Sequence, residues 1–192
     1  MIYYTGDPHG SKYEITRFCN RMGLTVEDTI IILGDVGTNY YGDERDNELK
    51  KAFHRLKPTI FCIHGNHEMQ PSTISYKATD WYGGQVWYEE EYPNLLFAKG
   101  GNIFTIEGLR HLVIGGAYSV DKYYRLTRGF RWWPDEQPSD EIEAQLEYKA
   151  WMCGYWHINK RIDKMHFLFH DFEAASQLYP KRVQDVPPRN LL

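Results

Sequence analysis

Three short polar motifs in the first third of the chain carry side chains that can bind a metal ion. They are Asp7-Pro8-His9, Gly34-Asp35-Val36-Gly37 and Gly65-Asn66-His67-Glu68, and each directly follows an apolar run. Their two carboxylates, two imidazoles and one amide oxygen form a mixed donor set that accepts manganese, iron, zinc or nickel. One carboxylate, such as Asp35, can bridge two cations about 3.5–4 Å apart, the spacing found in two-metal hydrolases. The motifs therefore predict a metal site suited to phosphate ester chemistry.

The apolar runs before these motifs predict the strands that position them. These runs are short, rich in β-branched or aromatic residues and bounded by glycine, and they cover residues 2–5, 30–33 and 59–63. Residues 11–22 and 43–56 carry apolar side chains at helical spacing between the strands. Alternating strands and helices are typical of parallel βαβ units, in which ligands lie at the carboxyl ends of the strands.

The rest of the chain is predicted to be richer in strands. Strands are expected at 95–98, 102–106 and 111–115, with Glu107-Gly108 as a hairpin turn. A second hairpin is expected from 158–163 and 165–170, and a helix from 139–149. One domain over residues 1–179 and a flexible tail over 180–192 are the predicted organisation, because the tail is polar and rich in proline.

Taken singly, each motif also fits an ordinary turn or helix cap. Taken together and in this order, D-x-H, G-D-x-G and G-N-H-E resemble the calcineurin-like metallophosphoesterases, which include phosphoprotein phosphatases, cyclic-nucleotide phosphodiesterases and repair nucleases. Residues 151–157 stand where that family has a late G-H-x-H motif, and residues 133–139 resemble small bacterial and phage members. The resemblance covers most of residues 1–175. It implies an α/β fold, a four-layer α/β/β/α sandwich with two mixed sheets.

The chain departs from the family pattern in two places. Tyr155 stands where the late motif begins with a metal-binding histidine. The family also has a T-H-x-x-P loop before this motif, yet no histidine occurs between Pro134 and Gly154. The interval is too short for a helix, a strand and that further strand and loop. We therefore expect the second sheet to be incomplete.

The resemblance implies an unequal pair of metal sites. The first metal would keep a complete set of ligands, namely Asp7, His9, Asp35 and His157. The second would keep only Asp35 and Asn66, so we expect one good site and one weakened site. A phenol such as Tyr155 is a poor replacement for imidazole at neutral pH. Other histidines stay open as replacement ligands: His64, His111, His166 and His170.

The function implied by the resemblance is metal-dependent hydrolysis of phosphate mono- or diesters by a metal-activated water. His67 matches the family's catalytic histidine, which protonates the leaving oxygen or stabilises the transition state. Glu68 would orient His67 or a metal ligand without binding the metal itself. The alternative is a catalytically impaired relative that acts as a metal-binding or regulatory module, as Tyr155 and the absent histidine loop suggest.

A basic and aromatic segment over residues 118–138 is a candidate for substrate binding. Its arginines, of which Arg125 and Arg128 are the candidates, lie among tyrosines, tryptophans and a phenylalanine. Arginine can bind phosphate, while neighbouring aromatic rings can stack on a planar group. The alternative is a surface loop with aromatic anchors or a contact with a partner.

Composition narrows the classes of protein that remain. The formal net charge of −4 argues against a broad nucleic-acid-binding surface, so a nuclease-like function stays only as a third hypothesis. Three cysteines near apolar runs favour reduced thiols in the cytoplasm over a disulfide framework. A strand at the start leaves no room for a signal peptide, and no apolar stretch is long enough to span a membrane. The oligomeric state stays open.

Overall fold

The computed structural model describes residues 1–137 and 149–178. The helix predicted for residues 139–149, except its last residue, and the predicted tail 180–192 lie outside this part of the chain. The strands are β1 (Ile2–Thr5), β2 (Thr29–Ile32), β3 (Thr59–Cys62), β4 (Lys77–Trp81), β5 (Gly84–Tyr88), β6 (Leu95–Ala98), β7 (Ile103–Ile106), β8 (Leu109–Leu112), β9 (Trp151–Cys153), β10 (Lys160–Ile162), β11 (Met165–Phe167) and β12 (Phe172–Ala174). The helices are α1 (Tyr13–Met22), α2 (Glu44–His54), α3 (Lys122–Thr127) and α4 (Ala175–Leu178), with a 3₁₀ turn at Pro71–Thr73.

A seven-stranded mixed sheet in the order β12-β1-β2-β3-β6-β5-β4 is the centre of the fold. Strands β1, β2, β3 and β6 are parallel. At one side β12 pairs antiparallel with β1, and at the other side β5 pairs antiparallel with both β6 and β4. The three predicted strands that precede the polar motifs are confirmed, as are the two helices between them. Their carboxyl ends therefore point to one edge of the sheet.

Both faces of the central sheet are buried at its parallel strands β1, β2, β3 and β6. On one face, Ile15 and Phe18 of α1 and Phe53 of α2 pack against inward side chains of the strands. On the other face, Ile31 and Phe61 pack with Phe104 and other residues of the smaller sheets. Because successive strand residues point to opposite faces, strands that are buried throughout need a layer on each side.

The layer on the second face consists of two small sheets. One is a three-stranded mixed sheet in the order β10-β11-β9, and the other is the β7–β8 hairpin. The predicted α/β class is therefore confirmed, with one large mixed sheet and smaller sheets, and the predicted hairpin of β10 and β11 is confirmed with it.

Two tight turns explain how the hairpins differ from expectation. Glu107 and Gly108 both have positive φ, 48° and 77°, as a two-residue hairpin turn requires. Strand β8 therefore starts at Leu109 and not at residue 111. The β4–β5 hairpin was not predicted, since its turn at Tyr82 and Gly83 joins strands with mixed polar and aromatic residues. Among the described residues, no helix is both long and apolar enough to cross a membrane.

Candidate metal centre

The loops that follow β1, β2 and β3 meet at one edge of the central sheet, together with the loop after β9. The first two loops are joined by backbone hydrogen bonds from His9 N to Asp35 O, 2.9 Å, and from Gly10 N to Val36 O, 3.2 Å. Asp7 at the end of β1 is only 1% exposed. The convergence predicted from the motifs is therefore present in the structure.

Asp7, His9 and His157 form one group that could hold a cation, since their ligand atoms all lie within 4.8 Å of one another. The two imidazoles face each other with 2.8 Å between their Nε2 atoms. His157 Nε2 is 3.7 Å from Asp7 Oδ2. Asp7 Oδ1 is buried and has no hydrogen-bond partner in the described chain. We call this group the first half of the site.

His9, Asp35 and His67 form a second group whose ligand atoms also lie within 4.8 Å of one another. His9 Nδ1 is 3.9 Å from Asp35 Oδ2, and Asp35 Oδ1 accepts a hydrogen bond from His67 N at 2.7 Å. Asp35 thus connects the first half to the neighbouring loop after β3. This is the position that a bridging carboxylate would need.

The backbone around these ligands is strained. His9, Asp35, Tyr155 and His157 have φ values of 45°, 45°, 69° and 50°. Non-glycine residues rarely adopt this left-handed conformation, although aspartate and histidine tolerate it better than most. Such outliers persist where surrounding contacts hold them, and they cluster at functional sites.

Two glycines allow the ligand loops to approach each other closely. A Cβ atom at Gly65 would overlap the backbone nitrogen and Oδ1 of Asp35. A Cβ atom at Gly154 would overlap Oδ1 of Asp7 and the carbonyl oxygen of Leu33. The close approach therefore depends on glycine at both positions.

Burial shapes the protonation of the ligands in the absence of a cation. Burial, and then the charge of Asp35, raises the pKa of Asp7 to about 8. Burial, followed by the neighbouring His157 and His170, lowers the pKa of His9 to about 4, so this imidazole is neutral at pH 7. A neutral imidazole beside an unpartnered carboxylate oxygen suits a divalent transition metal, whose charge would keep Asp7 ionised.

Glu68 is buried beneath the loops and holds them together. Its Oε1 accepts a hydrogen bond from Gly65 N at 3.1 Å, and its Oε2 accepts one from Gly37 N at 3.2 Å. Burial, and then the charge of Asp35, raises the pKa of Glu68 to about 8. Glu68 thus supports the ligands through the backbone of two loops.

The rest of the site is supported by hydrogen bonds to the segment after β8. Asn66 is 2% exposed, and its Nδ2 donates to Ser119 Oγ at 2.8 Å. Tyr155 N donates to Asp7 Oδ2 at 2.5 Å, whereas its hydroxyl donates to the Tyr118 carbonyl at 2.9 Å. The phenol that replaces a histidine of the family pattern therefore binds backbone. Asn66, Tyr155 and Arg125, which is described below, form what we call the second half of the site. This half is distinct from the second ligand group described above.

The other histidines have different surroundings. His111 Nε2 lies 2.7 Å from the Tyr4 hydroxyl, and His166 Nδ1 lies 2.8 Å from Glu173. His64 lines a separate cavity, and His170 lies against Phe169. Within the described residues, neither of the two candidate metal groups includes any of these four histidines.

A cavity of about 350 Å³ opens beside the ligands and is lined by His9, Asp35, His67 and Arg125. Its aromatic wall is formed by Tyr40, Tyr41, Tyr124 and Phe130. Arg125 is 2% exposed, and its Nη1 donates to Ser119 Oγ at 3.1 Å and to the Asn66 carbonyl at 3.4 Å. Its Nη2 has no partner among the residues the structure describes.

Arg128 lies farther from this cavity. Its Cζ atom is 5.7 Å from the centre of the Tyr124 ring, and the residue is not part of the cavity lining. Ser119 and Glu136, which are buried beside Asn66 and Arg125, were not among the predicted site residues. Only a contact between distant segments reveals them.

Comparison with known proteins places the chain in a family. The sequence profile described as calcineurin-like phosphoesterase matches residues 1–175. An uncharacterized protein from Haemophilus influenzae is 30% identical over 138 residues, which are 72% of this chain and 48% of that protein, so the chain spans about half the length of this curated relative. A solved structure of a protein of unknown function from Aquifex aeolicus is 20% identical, covers 49% of this chain and 67% of that one, and has a TM-score of 0.27.

The family match includes every strand and loop that carries a predicted ligand, from Asp7 to His157. Metal-dependent phosphoester hydrolysis is the general chemistry that this family suggests. On this evidence, the chain belongs to the calcineurin-like phosphoesterase family.

Proposed function

We propose that this protein hydrolyses phosphate mono- or diesters with the help of bound divalent metal ions. The observation that carries the proposal is the first half of the site, where three ligand side chains lie within 4.8 Å of one another. They adjoin a cavity that also contains His67 and Arg125. The site thus combines places for a cation, a hydrogen-bond donor and an anion-binding guanidinium.

Asp7, His9, Asp35 and His157 would hold the first ion, and Asp35 and Asn66 would hold a second ion more weakly. Manganese, iron, zinc and nickel all suit this mixture of oxygen and nitrogen ligands, and manganese is our first choice for an assay. A bound ion supplies Lewis acidity, which lowers the pKa of a water molecule and offsets charge on phosphoryl oxygens.

His67 is the proposed acid or transition-state stabiliser. Burial lowers the pKa of His67, although the charge of Asp35 acts in the opposite direction. Even a neutral imidazole carries one N–H group, so His67 can donate a hydrogen bond to the leaving oxygen. Full proton transfer would require the protonated ring.

Arg125 is the proposed phosphate-binding residue. Its Nη1 is fixed by Ser119 and Asn66, and its unpartnered Nη2 remains able to donate. A guanidinium can bind two phosphoryl oxygens at once. We propose a contact at the rim for Arg128, because Tyr124 beside it lines the cavity. The aromatic wall would then pack against the rest of the ester.

The decisive experiment measures bound metal per chain and then turnover of aryl phosphate mono- and diesters with added manganese. We expect turnover that falls by about 100-fold or more in His67→Ala, within the range for loss of a general acid. His54→Ala is the control, since His54 is exposed and bonds Asn94 away from the site. Turnover unaffected by His67→Ala would contradict the proposal.

A second candidate function is a metal-binding or regulatory module without catalysis. Tyr155 favours it, because its hydroxyl binds the Tyr118 carbonyl and leaves the second half without this imidazole. A single bound metal with no turnover would support this candidate. Tight oligonucleotide binding that weakens steeply with salt would instead support a nuclease-like function.

We also propose a reducing compartment such as the cytoplasm for this protein. Cys19, Cys62 and Cys153 are all free thiols in the structure, and two of them are buried. Burial raises the pKa of the Cys19 thiol to about 11, which keeps it protonated and unreactive.

A further inference from the structure

A buried hydrogen-bond chain runs from Glu136 through Ser119 to Asn66 and Arg125. Glu136 is 2% exposed and Ser119 is 1% exposed. Glu136 Oε1 accepts from Ser119 N at 2.9 Å, and Glu136 Oε2 accepts from Ser119 Oγ at 2.6 Å. Ser119 Oγ in turn lies 2.8 Å from Asn66 Nδ2 and 3.1 Å from Arg125 Nη1.

The chemistry of these groups fixes the direction of every hydrogen bond in the chain. A serine hydroxyl has one hydrogen to donate and two lone pairs that accept. The Glu136 carboxylate can only accept, so it takes the single hydrogen of Ser119. Arg125 can only donate, so it uses one lone pair. One lone pair remains for Asn66.

Asn66 must therefore present its amide nitrogen to Ser119. The reversed amide would place its oxygen against a hydroxyl that has no hydrogen left, which costs a buried hydrogen bond. The amide oxygen is consequently turned away from Ser119 and is available as a ligand. A side chain outside the metal site thus determines which atom of Asn66 can reach a cation.

We propose that Ser119 and Glu136 are positioning residues, which orient the amide oxygen of Asn66 toward the second cation and hold Arg125 for the phosphoryl group. This inference rests on the proposed function, because it gives Asn66 and Arg125 their roles there. Glu136 also holds the loop through its backbone, since Ala117 N donates a hydrogen bond to the Glu136 carbonyl at 3.0 Å. The test must therefore separate orientation of the amide from stability of the loop.

Glu136→Gln is the most informative variant, because it keeps the shape and changes the hydrogens. If the new amide nitrogen faces Ser119 Oγ, three donors compete for two lone pairs, and the conflict is relieved when the Asn66 amide turns over. If it faces Ser119 N, two donors oppose each other. Either orientation of the glutamine disturbs the chain.

The experiment titrates the 192-residue chain with Mn²⁺ into the millimolar range and follows free Mn²⁺ by electron paramagnetic resonance. We expect a strong and a weak equivalent in the unmodified protein. Glu136→Gln should weaken the affinity for the second Mn²⁺ by about 10-fold or more and leave the affinity for the first unchanged. This is the range found when a residue that hydrogen-bonds a metal ligand is lost. Ser119→Ala should act in the same direction, and Glu90→Gln, an exposed glutamate paired with Lys77, is the matched control.

Thermal unfolding of each variant without metal completes the test. Weakening of both equivalents together with a lower Tm would overturn the proposal in favour of a structural role. An unchanged second equivalent in both Glu136→Gln and Ser119→Ala would overturn it as well. A protein that takes up a single Mn²⁺ would also overturn it, whereas turnover lost in His67→Ala would still support the proposed function.

Discussion

The two halves of the site are built by different means. In the first half, Asp7, His9 and His157 come from loops with a strained backbone, and a nearby glycine permits their approach. In the second half, Asn66 and Arg125 are held by the hydroxyl of Ser119. The first half therefore depends on backbone geometry, and the second on a buried network of side chains.

This difference shows what each half can tolerate. The first half offers an unpartnered buried carboxylate oxygen and two facing imidazoles, a set that a cation would complete. In the second half, the Tyr155 hydroxyl binds the Tyr118 carbonyl, so a polar group stands where the family pattern has an imidazole. This hydrogen bond joins the loop after β9 to the segment after β8 without the help of a cation.

Removing an imidazole from the first half should produce the largest effect. We expect His157→Ala to weaken binding of the strong Mn²⁺ equivalent by more than about 100-fold. Loss of a residue that only hydrogen-bonds a metal ligand already costs up to about 100-fold, and loss of a ligand should cost more. Asn66→Ala should leave that equivalent unchanged. Metal content after dialysis measures both, and equal losses in the two variants would show that the halves are not separate.

A methyl group at Gly154 should disturb the first half through the backbone. Gly154→Ala places a Cβ against Asp7 Oδ1 and the Leu33 carbonyl, so we expect a loss of about 1–3 kcal/mol in the free energy of unfolding. Gly100→Ala is the matched control, because no atom lies within 4 Å of a Cβ there. Urea denaturation measures the free energy of unfolding of both variants. Similar values for the two would show that the close approach does not depend on glycine at position 154.

The pH dependence of the metal-free protein tests the burial of Asp7. Its pKa is about 8 in the folded chain and 3.8 by reference, so between these values only the folded state holds the proton. Asp7 alone should therefore lower the stability by about 1–2 kcal/mol from pH 6.5 to pH 8. His9, with a reference pKa of 6.5 and a folded pKa of about 4, acts in the opposite direction mainly below this window and offsets only about 0.4 kcal/mol of the fall within it.

Urea unfolding in a chelator at the two pH values measures this fall. Glu68 contributes with the same sign, since its pKa is also raised to about 8. Asp7→Asn should reduce the fall to the share of Glu68, and saturating Mn²⁺ should reduce it by keeping Asp7 ionised. A stability that rises over this interval would contradict the assignment.

Restoring an imidazole to the second half should give the smallest effect. Tyr155→His adds a ligand of the kind that the family pattern has there, but it loses the hydrogen bond to the Tyr118 carbonyl. We expect the weak Mn²⁺ equivalent to tighten by a few fold and the strong one to stay unchanged. No change in either would show that the absent histidine loop is the decisive defect.

The sequence predicts the first half of the site better than the second half. The strands before Asp7, Asp35 and Asn66 were predictable because each is a local apolar run that ends at a polar motif. The roles of Ser119 and Glu136 were not, because a buried hydrogen bond joins residues whose separation carries no local pattern. The β4–β5 hairpin was also not predictable, because the exposed strand β4 does not alternate regularly between polar and apolar residues.

The pairing of β12 with β1 has a consequence for how the protein is made. It sets Tyr3 opposite Ala174, so β1 gains this neighbour only after the residues up to Ala174 have been synthesised. His157 reaches Asp7 across the same long separation, and closing so large a loop is slow compared with local folding. Until that segment has been made, Asp7 lacks its contact with His157. We therefore expect the first half of the site to bind a cation only after His157 has folded back onto Asp7.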